Sequence, residues 1–278
     1  MLQPSFDRLN ALPADRFTLD QLTEIYNAGR SDYLIPMPMT ASALARYAHL
    51  YDVDLAASVV LVDGDQPVGI GMLGLRDQRA WLTRLGVTPA QRHHGAGRLI
   101  VDALLANAHA RGATLAQLEH IDGNEAARHL FEGTGFRERR RLLILRRPAG
   151  PAPLPAAPLV PLGAEQIAAC LAARAPGASW VDETRSLLNG GDVEGWQVDG
   201  DPERWLVLRR HDRQLSHLVF APAAAAESAA ALLAALHQRY PDYTAEVENL
   251  PVDSSLHAAF AAAGYQVAFR RIEMTRAL

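Results

Sequence analysis

The sequence contains no lysine; all 27 of its basic side chains are arginine. A phosphate loop of the G-x-x-x-x-G-K-[ST] kind is therefore excluded. The accompanying abundance of Ala, Arg, Gly and Pro marks the bias of a GC-rich coding sequence. Cysteine is nearly absent too. Cys170 stands alone, which excludes an internal disulfide and any cysteine-built metal cluster. Its neighbours Ala168, Ala169, Ala172 and Ala173 make it a small core residue of a helix. No cluster of one charge appears: the net charge is −4 and the arginines are scattered, so neither nucleic acid nor an anionic membrane is an expected partner. No apolar run reaches membrane-spanning length, and residues 1–15 lack a basic stretch followed by an apolar one. The expected compartment is the cytoplasm, and the expected assembly a monomer or homodimer.

What is present suits two globular domains: 278 residues, 49% hydrophobic and 21% charged. Residues 148–161 read PAGPAPLPAAPLVP, a semi-rigid connector because repeated proline removes backbone donors. The expected division is a first domain over 1–147, a linker over 148–161 and a second domain over 162–278. In the first half, apolar spacing predicts helices over 19–27 and 41–50. Strands follow over 58–62 and 67–75, joined at Asp63-Gly64-Asp65-Gln66, and over 80–87. A helix over 97–110, a strand over 115–120, a helix over 124–133 and a closing strand within 136–146 complete the order. The second half repeats the pattern: strands near 159–162, 195–198, 205–209 and 215–220, helices from 164, over 223–238 and over 254–263, and strands over 243–248 and 265–274. The fold class is α/β in the layered α+β sense, a mixed and mostly antiparallel sheet flanked by helices, present twice.

The most informative stretch is Leu85-Gly86-Val87-Thr88-Pro89-Ala90-Gln91-Arg92-His93-His94-Gly95-Ala96-Gly97-Arg98. A strand runs into a turn with two glycines and then directly into an apolar helix. The start of a helix presents unpaired N–H groups with partial positive charge, a natural seat for phosphate. Glycine lets the backbone approach an anion, and Arg92 and Arg98 add full charges. A dinucleotide fingerprint would need a third glycine, and adjacent His93 and His94 make a poor metal pair, so no metal is expected.

The series Val87, Pro89, Arg92, Gly95 and Gly97 is similar to the acetyl-CoA motif of the GNAT (Gcn5-related N-acetyltransferase) superfamily, R/Q-x-x-G-x-G/A. Downstream, Asn124-Glu125-Ala126-Ala127-Arg128-His129-Leu130-Phe131-Glu132-Gly133-Thr134-Gly135-Phe136 resembles that family's N-x-x-A-x-x-L-Y/F-x-x-x-G-F segment. The resemblance covers residues 5–147 and implies a tandem GNAT chain with an intact first copy. It implies that the backbone of Leu85, Gly86 and Val87 pairs with the pantetheine arm of acetyl-CoA, and that the amides of His93, His94, Gly95, Ala96, Gly97 and Arg98 hold the pyrophosphate. It implies further that Asn124 hydrogen-bonds the cofactor and that the Phe131 ring lies near its thiol end. Asn124 also suits a plain helix N-cap.

The implied activity is N-acetyl transfer to an amine of a small molecule or peptide. The alternatives are a non-catalytic acyl-CoA-binding module, or transfer of another acyl group or to another atom. A lysine-like amine with pKa near 10.4 is neutral in only about one of ~10³ molecules at pH 7, so a base helps. Glu119, five residues before Asn124, matches a glutamate that many relatives carry. Phe131 stands where many relatives have a tyrosine acid, and a phenyl ring donates no proton. Asp32, Tyr33, Met37 and Met39, between the first two helices, are candidates for the acceptor pocket or for the core. In the second half, Glu248, Asp253 and Phe260 align with Glu119, Asn124 and Phe131, but Ala223 to Ala226 replace the glycine turn. That copy is expected to be degenerate.

Overall fold

Three helices of the first half begin where a small polar side chain can take up a free amide. Thr18 opens α1 (Leu19–Gly29) with a reciprocal cap: its hydroxyl accepts from Gln21 N and the Gln21 side chain accepts from Thr18 N. Thr40 caps α2 (Ala41–Leu50), and Asn124 caps α4 (Glu125–Gly133). The exception is α3 (Ala96–Ala110), whose N-cap is Gly95, with no side chain to offer. A computed structural model describes residues 9–150, 158–222 and 225–278. Half of the proline-rich connector, residues 151–157, and the first residues of the expected 223–238 helix therefore lie outside the described residues, as do residues 1–8.

The chain forms two compact units, residues up to 140 with 272–278, and residues 141–271. In the first unit β1 (Leu9–Pro13), β2 (Val59–Asp63), β3 (Gln66–Arg76) and β4 (Arg79–Val87) form an antiparallel series. After α3 the chain returns as β5 (Leu115–Ile121), parallel to β4. Both faces of this sheet are covered, which is why β2 reads as an unbroken apolar run. Val59 and Leu61 face a cluster with Ile100 and Leu104 of α3 and Phe131 of α4. Val60 and Val62 face the opposite cluster, with Leu22 and Tyr26 of α1 and Leu44 of α2.

The second unit repeats this plan. It contains β7 (Leu159–Pro161), α5 (Ala164–Ala172), α6 (Thr184–Gly190), β8 (Val193–Val198), β9 (Asp201–His211) and β10 (Gln214–Phe220). Then come α7 (Ala226–Arg239), β11 (Thr244–Pro251) parallel to β10, and α8 (Leu256–Ala262). Each of two strands serves both units. β6 (Arg137–Arg147) begins in the first and ends in the second, where Arg147 to Leu142 pair antiparallel with Ala245 to Pro251 of β11. β12 (Gln266–Ala277) begins in the second and ends in the first, beside β5. Core membership agrees: Leu143 and Leu145 belong to the apolar cluster of α7, and Ile272 and Met274 to that of α3. The compact units thus divide at 140 and 271, and the expected linker over 148–161 falls within the range of the second unit. A strand's own alternation says which residues point inward but not which neighbour it pairs with. No helix among the described residues is long and apolar enough to cross a membrane.

Candidate active site

The site begins where two neighbouring strands part. β4 and β5 pair in parallel only from Arg79↔Leu115 to Leu82↔Leu118. Just beyond, the register of β4 against β3 shifts between Ile70 and Met72, and Arg84 takes a left-handed backbone with φ of 51°. This is a β-bulge, which bends a strand and re-aims its side chains. Thr83 to Val87 keep β3 on one side, and no further β4–β5 register is formed on the other among the described residues. The C-terminal end of α1 lies against this segment at glycine on glycine. A Cβ on Gly29 would stand 2.9 Å from the Gly86 carbonyl carbon, and one on Gly86 3.1 Å from Arg30 Cγ.

After β4, a single 3-10 turn over Pro89–Gln91 leads to His93 (φ 64°) and Gly95 (φ 78°), both exposed and left-handed. Leu99 N reaches back to Gly95 O, so the amides of Ala96, Gly97 and Arg98 precede the helical ladder. Gly97 packs closely on α4: a Cβ there would lie 3.2 Å from Leu130 Cδ2, which would have to give by a few tenths of an ångström. The two arginines expected at the phosphates are engaged with protein. Arg92 donates to both oxygens of Asp32 (2.7 and 2.6 Å), to Val87 O (3.0 Å) and to Gly29 O (3.1 Å). It ties the end of α1 to β4, and this contact, more than any other, holds the exposed Asp32 carboxyl below its usual range. Arg98 donates to Gly133 O (3.0 Å) and pairs with Asp102 one turn on. What the turn offers an anion is its backbone amides.

On the α1/α2 face, Glu119 of β5 accepts a hydrogen bond from Trp81 Nε1 at 2.7 Å. Trp81 stacks with Tyr47 (centroids 6.1 Å apart) and meets Tyr51 edge-on (5.6 Å). The Tyr47 hydroxyl bonds Thr83 Oγ1 at 2.6 Å, and the Arg84 guanidinium lies over the Tyr47 ring at 4.1 Å. Burial pushes the Tyr47 hydroxyl up, against the field of Arg84, so it stays protonated. Met37 contributes its carbonyl to Tyr26 Oη (3.1 Å) and its sulfur to Arg84 Nη1 (3.9 Å). Met39 is pinned by two backbone hydrogen bonds to the Asn27 side chain, both 2.9 Å. Tyr33 carries Arg30 over its ring at 3.6 Å, and its hydroxyl accepts from Asn124 Nδ2 at 3.4 Å. Asn124 also caps α4 through its Oδ1 on Ala127 N, so one residue holds the helix and faces the opening.

The structure therefore brings Asp32 to Arg92, Tyr33 to Asn124, and Met37 to Arg84. Phe131, only 7% exposed, packs on Phe136 and His120 within the α3-side core. Sequence reasoning did not single out Tyr26, Arg30, Tyr47, Trp81 or Arg84. The second unit retains the strand geometry, and its sequence has no glycine between Pro222 and Ala226. His217, five residues before Pro222 as Arg84 is before Pro89, has φ of 52° in an equivalent bulge of β10. Glu248, aligned with Glu119, is clamped by Arg146 (2.6 Å) and Arg271 (2.7 Å). Burial pushes its carboxyl up, but the two guanidinium groups outweigh this and hold it at about 2.

The sequence profile of the acetyltransferase (GNAT) family matches residues 19–136. No curated protein matches the chain. Among solved structures it is similar to a GCN5-related N-acetyltransferase from Sphaerobacter thermophilus (TM-score 0.74, 16% identity, 98% of this chain and 96% of that one). It is also similar to a tandem GNAT protein from the clavulanic acid biosynthesis pathway (TM-score 0.66, 15% identity, 97% and 98%). At these identities the likeness concerns the fold, and it runs through both units. The parted strands, the glycine turn and the second motif all fall inside or at the edge of the matched segment: residues 19–136 form a domain of the acetyltransferase (GNAT) family.

Proposed function

We propose that the first unit transfers an acetyl group from acetyl-CoA to an amine of a small molecule or peptide, and that the second unit does no chemistry. The observation that carries this reading is the parting of β4 from β5 directly beside an uncapped, glycine-led helix start, with Glu119 on the facing strand. The strand segment over 85–87 would present backbone groups to the pantetheine arm, and the amides at residues 93–98 would hold the pyrophosphate. For this, Arg30, whose Nη1 now donates to Leu85 O (3.3 Å), and the Tyr33–Asn124 contact would give way to the ligand. Bound there, acetyl-CoA supplies the activated acyl carbon. Glu119, held in place by the Trp81 indole, takes the proton from the attacking amine as its nitrogen bonds the acyl carbon; the carbon–sulfur bond then breaks and CoA leaves as the thiolate, protonated by water. Holding amine and acyl carbon in register contributes further rate.

The test is release of free CoA from acetyl-CoA across a panel of amine metabolites and peptides, with the acylated atom located by mass spectrometry. Acceptor-dependent release with the acetyl group on nitrogen supports the proposal. Tight acetyl-CoA binding without release on any acceptor would reduce the chain to a binding module, and acetyl on oxygen would change the reaction class.

A further inference from the structure

Arg84 is an arginine without an acid. Several buried or half-buried arginines find a carboxylate or a set of carbonyls; half-buried Arg30, with the Leu85 carbonyl and the Tyr26 and Tyr33 rings, is an exception. Arg76 pairs with Asp52 at 2.7 Å, Arg140 with Glu273 at 2.7 Å, and Arg147 donates to the carbonyls of Ala263, Pro148 and Gly150. Arg84 pairs with no carboxylate among the described residues, and it shares the Tyr26 ring with the Arg30 guanidinium. Its Nη1 donates to Tyr26 Oη at 3.1 Å and touches the Met37 sulfur, and its guanidinium carbon lies 4.1 Å from the Tyr47 ring centre and 5.6 Å from that of Tyr26. Its Nε is fully buried and meets no acceptor.

A guanidinium is always charged and carries five donors in a fixed fork. Taking it out of water without a counter-ion is costly, and aromatic faces offset only part of that cost. The conformation that puts it there is unusual as well, since a non-glycine residue at φ of 51° requires the bulge of β4. Its position is specific. Arg84 lies on the Tyr47 ring, Tyr47 stacks on Trp81, and Trp81 holds Glu119. A cation and a carboxylate thus stand at the two ends of one aromatic wall, the carboxylate suited to an amine and the cation to an anion.

We propose that Arg84 binds a carboxylate of the acceptor, so that the acceptor is an amino acid or a similar small amino-carboxylate, not a simple cationic amine. The inference rests on the acyl-transfer reading for the role of Glu119, but not for the anion site itself. A bidentate carboxylate would satisfy Nε and the neighbouring donors of the fork together, supplying the missing counter-charge. Tyr26 and Tyr47 would then flank the acceptor, and the loop bearing Met37 would close over it.

The experiment compares free amino acids with their C-terminal amides, which keep the amine and remove the negative charge. In the full chain, with acetyl-CoA present, kcat/KM should favour the acid over its amide by roughly tenfold to a hundredfold, mostly through KM. Arg84→Gln should bring that ratio close to one, and Arg84→Lys should restore part of it. A purely propping role for Arg84 would lower Tm and turnover of acid and amide alike and leave the ratio standing. The same pairs are titrated calorimetrically without turnover. Amino acids that bind the parent chain more tightly than their amides, and lose this advantage in Arg84→Gln, support the carboxylate site even if no acetyl is transferred; that result would sink the acyl-transfer reading alone. Equal use and equal binding of acids and amides by the parent chain would overturn the assignment to Arg84 while leaving acyl transfer intact.

Discussion

Glu119 sits where a carboxylate can be both held and used: one oxygen is fixed by the Trp81 indole, and the residue is half-buried on the face lined by Tyr47. Replacing it by glutamine keeps the shape and removes the proposed base. Glu119→Gln should lower kcat by roughly 10²–10⁴ on an amine of high pKa, and less on one whose pKa is near 7, with acetyl-CoA affinity unchanged. Initial rates of CoA release on two such amines measure this; equal rates in mutant and parent on the high-pKa amine would make Glu119 a structural residue. Glu119 drew notice in the sequence only through the resemblance to the GNAT segment, as the glutamate five residues before Asn124. Tyr47, Trp81 and Arg84 did not, because an aromatic at an apolar-periodic position carries the same signal whether it fills a core or walls a cleft. The bulge that aims Arg84 arises from a mismatch between strands, which no single strand records.

At the scale of elements, the most constrained contact is the crossing of α1 over β4. Gly29→Ala would put a Cβ 2.9 Å from the Gly86 backbone, which cannot yield as a flexible side chain would. We expect a loss of roughly 1–3 kcal/mol and a lower Tm in a thermal melt. A wild-type melting curve for this variant would mean that α1 can shift freely on the sheet. Most elements were readable from periodicity and caps. The helix expected over 19–27 is Leu19–Gly29, that over 41–50 is Ala41–Leu50, and the hairpin at 63–66 joins β2 to β3. The short edge strand β1 escaped because Leu-Asn-Ala-Leu-Pro is too brief to show a period, and α6 escaped because Thr184–Gly190 offers few apolar positions. The exchange of β6 and β12 was illegible for a different reason: Leu142-Leu143-Ile144-Leu145 and Ile272, Met274 would satisfy either core.

At the scale of the whole molecule, this exchange makes each compact unit depend on chain from the other half. Glu273, wholly buried in the first unit, is held by Arg140 (2.7 and 3.1 Å) and Arg139 (3.5 Å). Breaking such a cluster from one side strands its cations, so Glu273→Gln should cost on the order of 3 kcal/mol in a denaturant titration. A chain ending at Arg271 should lose acetyl-CoA binding as well, because Ile272 and Met274 leave the core behind α3. The second unit should show its own pH signature through Glu248, whose carboxyl falls from an ordinary 4.5 to about 2 on folding. A depressed folded value stabilises above 4.5 and is lost as the pH drops toward 2, so the parent chain should weaken across that window and Glu248→Gln much less. Parallel pH dependence of the two unfolding curves would contradict the clamp.

Acetyl-CoA binding at the glycine turn is measured by calorimetric titration of the full chain and of Gly95→Glu. One site per chain is expected, because in the sequence Ala223 to Ala225 precede α7 where the glycine turn precedes α3, and no binding to Gly95→Glu, whose carboxylate and Cβ would stand at the proposed pyrophosphate seat. Two equivalent sites in the full chain, or unchanged affinity in a folded Gly95→Glu variant, would contradict it.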